Sequence, residues 1–481
     1  MDSLSSIVIS LQSEISLLKS SISVLEADNA ALRGEIAVLT ANNSSLKEVI
    51  TSLSAANKSL SEENCKLKDK LGLTSKTSSI PSSKELYKIK RNKVKSTRNR
   101  GGQPGHPGTT RTKLLADEVI ELSISDSCSC GGHVSMAAKP YIHQKIDIPE
   151  IKPHVINYHV HHGRCRQCGK RHTASLPQGV TSDTFGPRIK SVISSLTGFY
   201  KNSKQEVRHI LKDIFNLDIS LGSISNSEGR VASKCQSAYQ SIEAAIRASQ
   251  VLHIDETGHF NSGKLGWCWI FTNPMVTLLK LTKSRSKKIL ESSGLKPKKQ
   301  IIVSDRYAAY NYFPPTHRQL CWSHLARDFE RFAHSCHSGV KVLGFYLKKM
   351  ASELFSLHRA FAKDTIELFT FLRRIRKLRK RIWYGLKAIA STPGAVQANR
   401  VARNIMRAEP MLWKFCKDPL NIPLTNNLAE RQIRHYVLYR KNCYFTQSER
   451  GNRFVERIIS LYLTWRQQNL NPFKQLQNII A

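Results

Sequence analysis

Acid is what this chain lacks most: 36 Asp and Glu stand against 74 Lys and Arg, leaving a formal charge of +38. Such an excess argues against a cationic partner and for a polyanionic one. The deficit is uneven. Residues 1–73 carry 7 basic and 9 acidic side chains, a net of −2, so residues 74–481 carry 67 minus 27, or +40. Long apolar runs are also missing, none approaching the roughly 20 residues that cross a bilayer. No charged-then-apolar leader with a small-residue cleavage site opens the chain, and its 11 cysteines are an odd number. Both speak against a secreted disulfide framework and for a reducing, aqueous compartment. With 481 residues, 40% of them apolar, there is enough to build cores for about three structural units.

What is present begins with leucine. It recurs every seventh residue from Leu4 to Leu67, ten times without interruption. Those are d positions, and the a positions read Val8, Ile15, Ile22, Asn29, Ile36, Asn43, Ile50, Asn57 and Asn64. Leu at d with β-branched residues at a favours a parallel two-stranded coil, and Asn at a trades stability for register and dimer specificity. Glu14 with Lys19, Asp28 with Arg33 and Glu63 with Lys68 are the expected contacts between g and the next e. Residues 1–73 are therefore expected to dimerise.

Ser, Thr, Pro, Gly and charge dominate the next segment, 74–115, a basic flexible linker. Eight residues between Lys84 and Arg100 are basic against the single acid Glu85, a composition suited to a DNA backbone. Residues 116–182 hold Cys128, Cys130 and His133 in SCSCGGH, then Cys165 and Cys168 in RCRQCGK. The second pair has the C-x-x-C-G spacing that brings two thiolates onto one tetrahedral zinc, with glycine relieving the backbone. The first pair is tighter, with Ser127 where C-x-x-C would place a cysteine. Either Cys128 reaches from the shifted position or His133 serves; otherwise the module is small, β-rich and metal-free.

Residues 183–250 carry helical periodicity, broken at NLDISLG, with Ser223–Lys234 as the reading helix of a helix-turn-helix or as half of a plain helical hairpin. From Val251 the period changes. VLHIDETGHF, LGWCWIFT and MVTLLKLTK read as antiparallel strands, followed by a helix at Ser284–Ser292, the strand KQIIVSD, a helix near Tyr307–Tyr312, the strand HRQLCW and the helix HLARDFERFAH. That order matches a ribonuclease-H-like domain. It puts Asp255 on the first strand and Asp305 at the end of the fourth, while Glu430 falls on a helix with Leu428, Ile433 and Val437 facing a sheet. Carboxylates there cost free energy unless a cation meets them. Oxygen-only donors suit magnesium or manganese, and two such ions about 4 Å apart stabilise both oxygens of an in-line phosphoryl displacement. Glu256 should point to the opposite face of its strand. Tyr307, Tyr310 and Tyr436 read as packing aromatics rather than nucleophiles.

The motifs GGQPGHPGTTR, HIDET, SDRYAAYN, CWSHLARDF and NNLAERQIRHYVLYRKNCYFTQSERG resemble those of insertion-sequence-66 family transposases, with a DDE-type catalytic domain. Two departures stand out: Thr425 precedes the paired asparagines where the family has Asp, and the first cysteine pair is C-x-C rather than C-x-x-C. The resemblance implies catalytic acids Asp255, Asp305 and Glu430 holding two Mg²⁺ or Mn²⁺ ions, Asp255 bridging both. Hydrolysis at the element's end would free a 3′ hydroxyl, which the same site would direct onto target DNA. His324 and Arg327 belong to its motifs, and Arg431, Arg434, Arg440 and Lys441 follow the third acid as groups for DNA phosphate.

The whole then reads as a multidomain α+β protein: coiled coil (1–73), linker (74–115), zinc-binding module (116–182), helical DNA-binding region (183–250), catalytic domain (251–336 and 424–450) and a C-terminal helical segment (451–481). A helical insertion at 337–423 splits the catalytic domain, and seven of its nine residues from Arg373 to Arg381 are basic. Expected partners are double-stranded DNA at element ends and target, a second copy of the chain, and small accessory proteins of the same element, in a bacterial cytoplasm without membrane contact. Other readings of the same features are a dimeric repressor without catalysis, a decayed copy, and a structure-specific nuclease that cuts without joining.

Overall fold

The computed structural model describes residues 2–71, 101, 105, 107, 108, 111–124 and 126–481. The expected basic arm at Lys84–Arg100 and most of the GGQPGHPGTT motif lie outside the described residues.

The heptad segment forms one helix, α1 (Asp2–Leu71). Its d leucines from Leu11 to Leu67 stand 49% to 63% exposed, an apolar stripe that its own chain does not cover. A window within Ser6–Asn64 reaches a mean hydropathy of 1.2, so a helix long and apolar enough to cross a membrane does exist here. Counting apolar runs missed it because Ser and Ala dilute the leucines while charge stays sparse; the heptad spacing with Asn at a still favours a protein partner.

After the strands β1 (His162–Arg164) and β2 (Arg171–Thr173) come α2 (Pro187–Ser194), extended by a π-helical turn over Ser195–Phe199, then α3 (Lys204–Phe215), α4 (Leu221–Lys234) and α5 (Gln236–Ala248). A capping box of Ser203 and Glu206 starts α3, Asn216 ends it in the left-handed conformation, and Ser220 caps α4. Strands β3 (Val251–Asn261), β4 (Lys264–Thr272) and β5 (Thr277–Thr282), helix α6 (Lys288–Ser292), and strands β6 (Ile301–Ser304) and β7 (Arg318–Leu320) follow in the expected order. The expected helix at Tyr307–Tyr312 is a 3₁₀ turn, Ala308–Tyr312. Helices α7 (Trp322–Ala333), α8 (Ser338–Ala362), α9 (Leu368–Ala390), α10 (Val396–Arg407), α11 (Glu409–Leu412), α12 (Asn427–Asn442), α13 (Glu449–Gln467) and α14 (Pro472–Ile480) complete the chain.

Packing divides the chain into two units, Met1–Leu86 with Gln250–His253 and Leu290–Asn427, and Tyr87–Ser249 with Ile254–Ile289 and Leu428–Ala481. The mixed sheet has strand order β5-β4-β3-β6-β7. In the first unit β3 runs parallel to β6, pairing Val251, Leu252 and His253 with Ile301, Ile302 and Val303, and β6 runs parallel to β7. The insertion helices bury Leu347, Leu354, Phe371, Leu378 and Ile405 in the same core as Trp322 and Phe329 of α7. Helix α8 meets α7 so closely at Gly344 that a Cβ there would lie 2.2 Å from the Ala333 nitrogen. Among the described residues nine cysteines are free thiols and Cys336 is disulfide-bonded.

In the second unit β4 pairs antiparallel with β5, and α13 closes the far edge of β5. The Thr277, Leu279 and Leu281 N–H groups donate to Thr464 Oγ1 (3.0 Å), Ser460 Oγ (2.8 Å) and Glu456 Oε1 (2.6 Å). Every second strand residue meets every fourth helix residue, because two strand steps of about 3.4 Å nearly equal four helix steps of 1.5 Å. An edge that would otherwise invite another strand is thereby satisfied. Burial raises the Glu456 carboxyl to about 7, so its contribution to stability is greatest below the unfolded value near 4.5 and is lost as pH rises through 7.

Glu456→Gln, which keeps the acceptor for Leu281, should raise stability above pH 7 by up to about 3 kcal/mol, with no gain at pH 4, in urea unfolding. Leu32→Asp with Leu39→Asp should abolish self-association through α1, seen as a lower sedimentation coefficient in analytical ultracentrifugation; an unchanged coefficient would remove the heptad stripe as a self-association surface.

Candidate active site

Each of the three acids sits where an element begins, ends or crosses the sheet, and all three are half-buried. Asp255 lies on β3, and its Oδ1 accepts the Glu256 N–H at 3.0 Å. Asp305 directly follows β6, and its Oδ1 accepts the Tyr307 N–H at 2.8 Å as the chain turns into the 3₁₀ helix. Behind it, buried Arg318 donates Nη2 to the Asp305 carbonyl at 3.2 Å and Nη1 to Asn311 Oδ1 at 2.9 Å. Glu430 occupies the first turn of α12, where the helix dipole favours a negative charge. Glu256, expected on the other strand face, accepts at Oε1 from Arg285 Nε at 3.0 Å and Nη2 at 2.5 Å.

Buried His253 has two partners that the sequence reading missed. It pairs with Val303 across β3 and β6. Its Nδ1 donates to Oδ1 of buried Asn426 at 3.1 Å. Asp255 is two residues beyond His253, Asp305 two beyond Val303, and Glu430 four beyond Asn426. The Asn426 N–H also donates to Cys321 Sγ at 3.2 Å, and Asn427 Oδ1 accepts from Ser323 at 3.3 Å. The paired asparagines thus fix the start of α12.

In the second unit α12 is bound to the later part of β3. Arg440 Nη1 donates to Thr257 Oγ1 at 2.9 Å and to the Gly258 carbonyl, so this guanidinium is engaged with the strand. Tyr436 Oη lies 2.5 Å from His259 Nδ1, while His259 Nε2 meets Asn452 at 3.1 Å. Burial drives the Tyr436 phenol far above its usual value, which keeps it a hydrogen-bonding group rather than a nucleophile, and Tyr307 meets Tyr310 edge-on at 6.2 Å. Arg431, Arg434 and Lys441 stand exposed on α12, and His324 and Arg327 lie half-buried on α7. The Ser-x-x-Gly element is a helix cap, with Ser448 Oγ accepting the Gly451 N–H at 3.1 Å.

Charge on α13 is segregated by face. Glu449 binds Asn261 of β3 at 3.0 Å and Glu456 binds β5, whereas Arg450, Arg453 and Arg457 at i, i+3 and i+7 share the other face. With Arg230 of α4 they line a cavity of about 610 Å³ whose wall includes Gly229, Ala232 and Ser233. Arg450 crosses α4 to reach Ser225 at 2.9 Å, Arg457 holds the Ala232 carbonyl, and Arg230 pairs with Asp183. On α9, Arg379 binds Glu409 through two bonds of 2.5 and 3.0 Å and Arg381 reaches Glu353 at 3.4 Å, so part of the basic run is held internally.

The cysteines form two separate turns. Cys165 and Cys168 lie between β1 and β2, with the Gly169 N–H on the Cys165 carbonyl at 2.9 Å and Gly169 at φ 70°. Cys128 is bonded in the same way by Gly131. Hydrogen bonds to Cys130 lower the Cys128 thiol, and bonds to Cys168 and Gln167 lower that of Cys165. His133 Nδ1 is engaged by the Asp126 carbonyl at 3.0 Å. Among the described residues these groups do not gather as three ligands around one point.

Asn426→Ala removes the acceptor for a buried imidazole and should lower stability by about 1–3 kcal/mol, whereas exposed Asn427→Ala should stay within about 0.5 kcal/mol; chemical unfolding of the two variants checks this.

A family model described as Transposase IS66 family matches residues 205–453, more than half of the chain. No curated protein matches the chain.

Proposed function

The chain belongs to the IS66 family of transposases, and on that premise we propose that it binds the ends of its element and joins them to target DNA through a two-metal centre at Asp255, Asp305 and Glu430. The reading rests chiefly on His253. Its backbone is paired with Val303 of the strand that leads to Asp305, its buried side chain is bonded to Asn426, which precedes Glu430 by four positions, and it stands two positions from Asp255.

By kind the donors suit magnesium or manganese, being three carboxylates, all half-buried and so reachable from solvent, although among the described residues the three are not gathered as ligands around one point. When bound, two such ions supply charge neutralisation at both the attacking and the leaving oxygen of a phosphodiester. Asp255, on the central strand, is the acid suited to serve both. Asp305 spends Oδ1 on the Tyr307 N–H and keeps Oδ2 for a ligand. Glu430 is carried by a helix whose start is latched through Asn426. Exposed Arg431, Arg434 and Lys441 hold substrate phosphates, and Arg440 braces α12 against β3 instead.

Duplex binding is shared with the arginine face of α13 and the polar face of α4, while the exposed cations of α9, Arg373, Arg374, Arg376 and Lys377, add backbone contact. A parallel coil through α1 makes the protein a dimer. A structural zinc would take Cys165, Cys168 and Cys128, with Cys130 or His133 as the fourth ligand, and would have to draw together two turns whose ligands are not gathered around one point; His133 suits that place because its Nδ1 is already occupied, leaving Nε2.

Strand transfer on labelled element ends with Mg²⁺ tests the reading. Asp305→Ala should lose joined product by about 10³-fold or more while retaining DNA binding. Cleavage that survives in the variant would remove Asp305 from the centre; binding without cleavage in the unaltered chain would leave a DNA-binding protein alone.

A further inference from the structure

A second concave site lies wholly within the first unit, where the insertion helices meet β7. The cavity measures about 480 Å³ and is lined by Arg306, Asn311, Arg318, Asp328, Arg331 and Arg407, among others. Arg318 forms its inner wall at 2% exposure. Both of its Nη atoms bond to uncharged oxygens, and its buried Nε has no hydrogen-bond partner. A buried guanidinium so placed is costly until an anion meets it.

The lining offers no anion to spare. Its one carboxylate, Asp328, is paired with Arg306, and burial raises its pKa. Four guanidinium groups against one carboxylate leave the cavity at 4 minus 1, or +3. Arg331 shares with Arg306 the charge of the same Asp328, and exposed Arg407 donates, among the described residues, to the side-chain amide oxygen of Asn404, at 3.3 Å. Helices α7 and α10 each end near these two arginines, so each stands where its own helix dipole favours a cation.

We propose that this cleft seats a backbone phosphodiester of duplex DNA on the Asp305 side of the molecule, with Arg318 as its floor and Arg331 and Arg407 at its mouth. Guanidinium groups match phosphate in bidentate geometry, and the volume admits a phosphate with its flanking sugars. Arg318 connects the cleft to the candidate centre, because the Nη2 that closes the inner wall also holds the Asp305 main chain. The helical insertion thereby gains a purpose: α10 supplies the outer wall and Arg407. The identity of the anion rests on the transposase reading; the existence of an anion site does not.

The test is duplex binding by the full-length chain, followed by fluorescence anisotropy across a salt series. Arg318 is buried, so the variants are placed at the mouth. Arg331→Gln and Arg407→Gln should each weaken binding by on the order of tenfold and flatten the log–log salt slope by about 1. Arg407→Lys should keep the slope, and Lys363→Gln, an equal charge loss at the end of α8, should change neither quantity. Gln variants that match the unaltered chain, or that lose no more than Lys363→Gln does, overturn the proposal. Displacement of the duplex by a deoxynucleoside triphosphate, abolished in Arg407→Gln, would make this a mononucleotide site and overturn the DNA assignment. Binding is read without cleavage, so a chain that binds through these arginines yet never joins ends would refute the catalytic reading and leave the cleft standing; a chain that binds no DNA would refute both.

Discussion

A carboxylate at the end of a buried strand is tolerated only where its neighbours hold it in place and a cation meets it. In this protein the holding begins at His253, whose imidazole is enclosed by the sheet and bonded to Asn426. Its strand pairing sets the level at which β6 ends, and its side chain sets where α12 begins. The proposed centre, the role of the paired asparagines and the support given by Arg318 to the Asp305 main chain all depend on that one buried contact and on the parallel register around it.

Charge is sorted by face, not merely accumulated. The acids of α13 are drawn to the strands, where one satisfies a free N–H of the sheet edge, and its arginines are left together on the opposite side. The same sorting recurs at β7, where burial weakens the only carboxylate of a cavity that holds four arginines. A net charge of +38 thus resolves into discrete concave clusters. Concave clusters attract a phosphate backbone more strongly than an even coat of lysine would, since low-dielectric walls focus the field.

Much of this was legible before any coordinates. The heptad leucines announced α1, and the change from helical periodicity to a period of two announced β3 and the strands after it. Glu256, which alternation along β3 set apart from Asp255, is bound by Arg285. His253 was not legible, because one histidine in an apolar strand has no distinctive spacing, and neither was Arg318, whose neighbours HRQL gave no hint that it would be buried. Arg440 was legible as a cation but not as one spent on a strand carbonyl, since only packing decides which face of α12 meets β3.

Sequence by itself determined the periodicities, hence the helices and strands, the distribution of charge along the chain, and the motifs that mark the family. Those depend on neighbours a few residues apart, through local backbone sterics and side-chain spacing. Tertiary structure alone decided which cations face a carboxylate, a carbonyl or an open cavity, and which strand edge a helix would satisfy. Those choices join residues such as His253 with Asn426 and Leu279 with Ser460, separated by 173 and 181 positions, and they emerge only when desolvation makes each buried polar group find a partner.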